Sequence, residues 1–259
     1  MNDAAPSAAP PRPAVLVTGA AKRLGAAIAR AFDAAGWAVL VHHNGSTAEA
    51  AALARTLGEA HLLRFDLADP AAIGQGLDQA FALAPGLACL VNSASRFQAD
   101  EAGAPSPQVW AEALSVNALA PVLLAAGFHR RLAGREGSVV NLLDQKLKNL
   151  NPDYFSYTVS KAALDAASQL MARAFAPNLR VANVAPGLIL PSGDQTEAEF
   201  EQAARMNLLR RRTRPEEVAA AVLHIAQSPW LTGQTLFVDS GQSLTAQPRD
   251  VMFLVRGEN

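Results

Sequence analysis

The chain has 259 residues, 22 lysines and arginines against 23 acidic residues, a formal net charge of -1, and 50% hydrophobic and 6% aromatic side chains. That balance argues against a non-specific nucleic-acid or membrane-surface partner, and the length admits one large α/β domain or two small ones with a sizeable core. The single cysteine, Cys89, cannot make an internal disulfide and reads as a buried small hydrophobe; residues 1–13 lack a basic stretch leading into an apolar one, so no signal peptide or membrane span is expected. The chain reads as cytoplasmic, with a short disordered tail over 1–13.

Strand and helix patterns then alternate without a linker. Residues 14–18 form an apolar first strand, and the turn Gly19-Ala20-Ala21-Lys22-Arg23-Leu24-Gly25 opens a helix that Gly36 stops after about Ala35. Residues 37–41 are a second strand. The next helix opens near Ser46 and Thr47, with Glu49 at capping-box spacing from Ser46. A third strand over 61–65 closes at Asp66-Leu67, a helix follows over 70–81, and a fourth strand runs over 87–92. A long helix spans 108–132, a fifth strand ends at Leu142, and an Ala-rich helix runs over 154–175 with apolar residues at helical spacing. The sixth strand, 179–184, ends at Ala185-Pro186-Gly187. Residues 188–212 are polar and irregular, which suggests a mobile flap with one or two short helices. A Pro-initiated helix over 215–226 and a seventh strand over 234–238 complete the series. This alternation predicts a single α/β domain over 14–259, a Rossmann-like doubly wound parallel seven-stranded sheet with ligands at the carboxyl ends of its strands. That placement puts Asp66, Leu67, Pro186 and Gly187 beside a ligand.

Two constellations carry chemistry. A strand feeding a glycine turn that opens a helix suits a dinucleotide: glycines admit the phosphates and the helix N-terminus offers them N–H groups. Tyr157 and Lys161 lie four apart on one helix, about one turn from each other, with Asp144 at the end of the fifth strand facing both. A free tyrosine titrates near pH ~10, so work near neutrality asks for roughly three units of stabilisation, about 4 kcal/mol. An ammonium at about 4 Å in an effective dielectric of about 20 supplies an amount of that order. By itself a Tyr–Lys pair at this spacing is common on solvated helices.

Taken together, Thr18-Gly19-x-x-x-Arg23-x-Gly25 and Tyr157-x-x-x-Lys161 resemble the short-chain dehydrogenase/reductase superfamily over nearly the whole chain. Arg23 stands where most members carry a second glycine, and Asn92-Ser93-Ala94-Ser95-Arg96-Phe97 ends like the corresponding pteridine reductase turn. The closer resemblance is therefore to pteridine reductases, including those of the dihydromonapterin type. It implies that Asn92, Ser93, Ala94 and Ser95 border the cofactor, that Ser95 and Phe97 meet the substrate with Phe97 stacked on a flat ring, and that Asn117 holds a water near Lys161. The alternative for Asn117 is an amide serving local backbone only. Assembly as a homotetramer is also implied.

Cofactor choice can be read from the end of the second strand. NAD-specific folds usually place a carboxylate there, about 20 residues past the glycines; Val41-His42-His43-Asn44-Gly45-Ser46 has none. With Lys22 and Arg23 in the glycine turn and His43, Asn44 and Ser46 nearby, the expected cofactor is NADP(H), and no metal is called for.

Asp144 departs from most of the superfamily, which has serine thirteen residues before the tyrosine, but is similar to pteridine reductases. An ionised carboxylate accepts hydrogen bonds and cannot donate them, and it would oppose the alkoxide formed from a ketone. It would also raise the Tyr157 pKa against Lys161 and share a proton with the phenol. Such a site suits a ring C=N, so a dihydropterin or dihydrofolate is the expected substrate of an NADPH-dependent reductase. A carbonyl reductase acting on 3-oxoacyl thioesters and a non-catalytic NADP-binding protein are the competing readings, and Asp144 could instead cap the loop 145–151. Leu188 and Leu190 are expected to roof the pocket, with Arg23 also at its substrate side. The tail 247–259, with its apolar run 252–255, either covers a neighbouring subunit's pocket or packs locally.

Overall fold

The computed structural model describes residues 11–257, so most of the tail expected over 1–13 lies outside the described residues. Seven strands, all parallel, form one sheet in the order β3-β2-β1-β4-β5-β6-β7. They are β1 (Ala14–Val17), β2 (Ala38–His43), β3 (Ala60–Arg64), β4 (Leu87–Asn92), β5 (Gly137–Leu142), β6 (Leu179–Pro186) and β7 (Thr235–Val238). Every residue of β1, β2 and β5 is buried, as helices on both faces of a parallel sheet require. The two-residue alternation of a strand sends Leu16 and Leu40 to one face and Val15, Val17, Val39 and Val41 to the other.

One face is covered by α3 (Pro70–Leu83) and α5 (Ala120–Leu132), whose Leu77, Leu124 and Phe128 meet Leu16 and Leu63 in the core; the long α6 (Phe155–Ala174) adds Met171 and Ala172. The other is covered by α1 (Arg23–Ala34) and α8 (Pro215–Gln227) through Ile28, Phe32, Val222 and Ile225, with α2 (Thr47–Ala54) at the edge. The chain reverses direction across the sheet between β1 and β4, and such a switch point opens a crevice at the strands' carboxyl ends.

Most boundaries fall within two or three residues of the sequence expectation. The helix expected over 108–132 is α4 (Pro107–Leu114), a π-helical turn (Ser115–Leu119) and α5. By length and composition alone the stretch Pro107–Leu132 could cross a membrane, which the sequence reading did not anticipate, but Leu124, Phe128 and Leu132 pack it into this core. The capping box expected of Ser46 and Glu49 does not form, because Glu49 pairs with Lys22 instead. The flap holds one helix, α7 (Glu197–Ala203), which carries a capping box of its own between Thr196 and Glu199. A short α9 (Val251–Val255) ends the described chain and packs on this same chain against Tyr154 and Tyr157.

Candidate active site

A cavity of about 790 Å³ opens at the crevice. Its cofactor end is built from the turn after β1. Gly19 has φ +64° and lies so close to the β4 loop that a Cβ there would come within 3.0 Å of Ala94 Cα, while a Cβ at Gly25 would sit 2.3 Å from the Gly19 carbonyl oxygen. Arg23, which stands where most members of the resembled superfamily carry a second glycine, is left-handed with φ 54°. The position keeps the glycine conformation while carrying a cation, at a cost of roughly 1–2 kcal/mol.

Two side chains lock this turn. Thr18 Oγ1 accepts from the backbone N–H groups of Ser93 (3.0 Å) and Ala94 (3.1 Å), joining the turns after β1 and β4. His42 Nδ1 accepts from the Gly19 N–H at 3.2 Å, and Nε2 lies 3.1 Å from the Phe65 carbonyl, which it must serve as donor. Both bonds demand the neutral Nε2–H imidazole. Burial agrees, lowering the His42 pKa to about 4. Sequence reasoning had passed over His42 in favour of its neighbour.

The expected site residues divide. Gly19, Lys22, Arg23, Leu24, Gly25, Asn44, Ser46, Asp66, Leu67, Ser93, Ala94, Ser95, Phe97, Asp144, Tyr157, Lys161, Pro186, Gly187, Leu188 and Leu190 all line the cavity. Three do not. His43 points from β2 into the interior, where its Nδ1 has no hydrogen-bond partner among the described residues. Strand alternation explains the exchange, since neighbours on β2 face opposite ways. Asn92 lies beneath the cavity, donating to Asn141 Oδ1 at 2.8 Å in a buried amide ladder that continues to Asn183 and Ser168. Asn117, placed by the π-helical turn, donates to the Arg96 carbonyl (2.9 Å) and Ser160 Oγ (3.0 Å) and accepts from the Arg96 N–H (2.7 Å) and Ser95 Oγ (3.2 Å). Its amide is fully used in fastening the Ser95-Arg96 turn to α6.

The basic corner is partly neutralised. Lys22 is held by Glu49, and Arg23 Nη2 donates to the Pro191 carbonyl of the flap at 2.8 Å. Arg64, not anticipated, donates to the Asn44 carbonyl at 3.1 Å and brings another cation to the end of β2.

At the other end, Tyr157 Oη donates to Asp144 Oδ2 at 2.8 Å, and Asp144 Oδ1 accepts from the Lys146 N–H at 2.9 Å, capping the 3-10 turn Gln145–Lys148. The carboxylate therefore serves both the phenol and the loop. Lys161 Nζ donates to the Leu142 carbonyl at 2.7 Å and stands 5.7 Å from the Tyr157 ring centre. Burial, then the Asp144 charge, pushes the Tyr157 phenol well above its ordinary range, so the stabilisation of a phenolate by Lys161 weighed in the sequence does not prevail. Burial likewise raises Asp144, against the hydrogen bonds from Lys146 and Tyr157, and lowers Lys161 to about 8. Phe97 stacks on Tyr154 at 4.2 Å and meets Tyr157 edge-on at 4.7 Å. Lys146, Asp250, Val251 and Met252 complete this end, and no spacing in the sequence pointed to them.

The cavity fits a dinucleotide. Its volume lies in the range of cofactor pockets, and the Gly19–Gly25 contact leaves no room for side chains where phosphates meet a helix N-terminus.

Comparison with known proteins agrees. The family described as enoyl-(acyl carrier protein) reductase matches residues 19–243. A ketoacyl reductase ascribed to the granaticin polyketide synthase of Streptomyces violaceoruber is 34% identical, with 91% of this chain and 98% of that protein covered. Pteridine reductase 1 of Leishmania tarentolae is 32% identical with the same coverage. The structure of FolM alternative dihydrofolate reductase 1 from Brucella suis in complex with NADP superposes with a TM-score of 0.87 and 35% identity, covering 91% of this chain and 96% of that one. Fold, glycine turn and matched span make this chain a Rossmann-like α/β oxidoreductase. It belongs to the short-chain dehydrogenase/reductase family and within it is pteridine-reductase-like.

Proposed function

We propose that the chain is an NADPH-dependent reductase of a dihydropterin or dihydrofolate ring C=N. The observation that carries this reading is the Asp144–Tyr157 hydrogen bond in a buried site, where a serine would be needed to greet a ketone. A carboxylate there would repel a developing alkoxide, whereas it can accept N–H groups from a pterin and help return a proton to nitrogen. The likeness to pteridine reductase 1 and to the FolM structure supports the same substrate class; the likeness to a ketoacyl reductase makes an acyl-thioester ketone the competitor.

NADPH, when bound, supplies the hydride. Gly19, Gly25 and the start of α1 would hold its phosphates, and Arg23, Arg64, Asn44 and Ser46 would meet the 2′-phosphate. Lys161 would hold the nicotinamide ribose. Phe97 offers an exposed ring face on which a flat heterocycle can lie, worth about 0.5–1.5 kcal/mol beyond the area it covers. The Asp144–Tyr157 pair, which shares one proton along its hydrogen bond, then gives that proton to the substrate nitrogen through Tyr157 Oη, and the pair takes up another from water.

The test is a panel of dihydrobiopterin, dihydrofolate and acetoacetyl thioester, with NADPH and NADH oxidation followed by absorbance. Pterin or folate turnover with NADPH is expected. A preference for the thioester, or equal use of NADH, refutes the assignment, and binding of NADPH with no turnover on any of them points to the non-catalytic alternative.

A further inference from the structure

The segment after the last strand does more than end the chain. It is tied to the catalytic side of its own domain at three places. Asn149 Nδ2 donates to the Thr245 carbonyl at 2.9 Å and its Oδ1 accepts from the Gln247 N–H at 3.1 Å. Asp153 receives the Arg249 guanidinium at 2.9–3.0 Å and the Asp250 backbone N–H at 2.6 Å. Arg256 reaches Glu199 at 2.8 Å and Asp194 at 3.1 Å, joining α9 to the flap.

Lys146 sits at the middle of this seam. Its side chain is only 5% exposed, yet its ammonium lies 2.8 Å from Asp250 Oδ2, donates to the Asp153 carbonyl at 3.3 Å and stands 4.9 Å from the Tyr154 ring centre. The same residue's backbone N–H holds Asp144. A buried cation two residues from the carboxylate is thus balanced by an acid delivered from the far end of the chain. Were that acid removed, the buried ammonium would keep only the Asp153 carboxylate, which Arg249 already engages, and Asp144 would be the nearest anion on its own turn.

We propose that Asp250 is a positioning residue for the Asp144–Tyr157 pair: it holds the Lys146 ammonium off the Asp144 carboxylate while the segment around it seats Met252 against Tyr157. This rests on the reading of Asp144 and Tyr157 as the proton-delivering pair. The charged groups facing that pair are Lys161 from α6, Lys146 from the 3-10 turn and Asp250 from the C-terminal segment. Removing the Asp250 charge makes it easier to ionise the pair, and removing the Lys146 charge makes it harder.

The experiment is the pH profile of kcat for NADPH-dependent dihydropterin reduction in the full-length wild type, Asp250→Asn and Lys146→Met, each checked for folding by circular dichroism. The alkaline limb is expected to move down by about one pH unit in Asp250→Asn and up by a similar amount in Lys146→Met, with Asp250→Glu restoring the wild-type limb. A mere anchor would lower both rates and leave both limbs in place, which overturns the proposal. Should Asp250→Asn not fold, Asp250→Ser, which removes the charge but keeps an oxygen acceptor for the Met252 N–H, takes its place with the same downward shift expected. Hydrogen exchange of residues 245–256 in wild type against Asp250→Asn reads the tether without any substrate. Faster exchange is expected, and unchanged exchange refutes the tether even where the wild type turns out to reduce ketones instead, which is a failure of the functional reading only.

Discussion

At the scale of the residue, the candidate site turns on one competition. Lys161 and Asp144 both flank Tyr157, and the buried phenol responds to the carboxylate at 2.8 Å more than to an ammonium whose hydrogen bond goes to the Leu142 carbonyl. Asp144 is raised above its ordinary value, so its proton is held below that raised pKa and lost above it. The Lys161 cation is likewise present below about pH 8 and lost above it. Both point the same way: the rate of reduction falls as pH rises, with the Lys161 loss centred near pH 8, measurable as kcat under saturating NADPH. Tyr157→Phe removes the delivering hydroxyl and is expected to lower kcat by roughly 10²- to 10⁴-fold, while Asp144→Ser depresses pterin turnover less. Wild-type rates in either variant would contradict the roles given to them.

At the scale of the element, the turn after β1 is set by its neighbours as much as by its glycines. The Gly19 N–H is held by His42 from β2, so His42→Leu leaves a buried donor and the Phe65 carbonyl without partners, costing about 1–3 kcal/mol for each. A rise of tenfold or more in the NADPH dissociation constant is expected, with kcat at saturating cofactor little changed; fluorescence titration measures it. The same imidazole makes the fold acid-sensitive. Its folded pKa of about 4 lies below the 6.5 of a free histidine, so the unfolded chain binds the extra proton and stability is lost as pH falls between these values. With the side chain almost wholly buried, the loss amounts to about 3 kcal/mol, and denaturant midpoints at pH 7 and pH 4 in wild type and His42→Leu would expose it. The π-helical turn works in a similar way, placing Asn117 under the Ser95-Arg96 turn rather than in the cavity.

At the scale of the whole molecule, two helical layers sandwich a sheet whose central strands are sealed on both faces. Phe128 carries much of one layer, fully buried and 5.5 Å from the Phe81 ring. Phe128→Ala should cost about 3–5 kcal/mol of stability, read from urea unfolding, without altering the pH profile of the remaining folded enzyme. A changed profile would mean that this layer is coupled to the site more tightly than its position suggests.

The alternation of apolar strands with amphipathic helices, the glycine turn and the Tyr157–Lys161 spacing are local patterns, so the amino-acid sequence alone determined the sheet, its cofactor end and the phenol–carboxylate pair. Which of two adjacent histidines faces the turn, where a buried asparagine spends its amide, and which lysine the C-terminal acid balances depend on contacts between residues as far apart as Lys146 and Asp250. Those pairings follow from how strands and loops meet in space, and only the tertiary structure decided them.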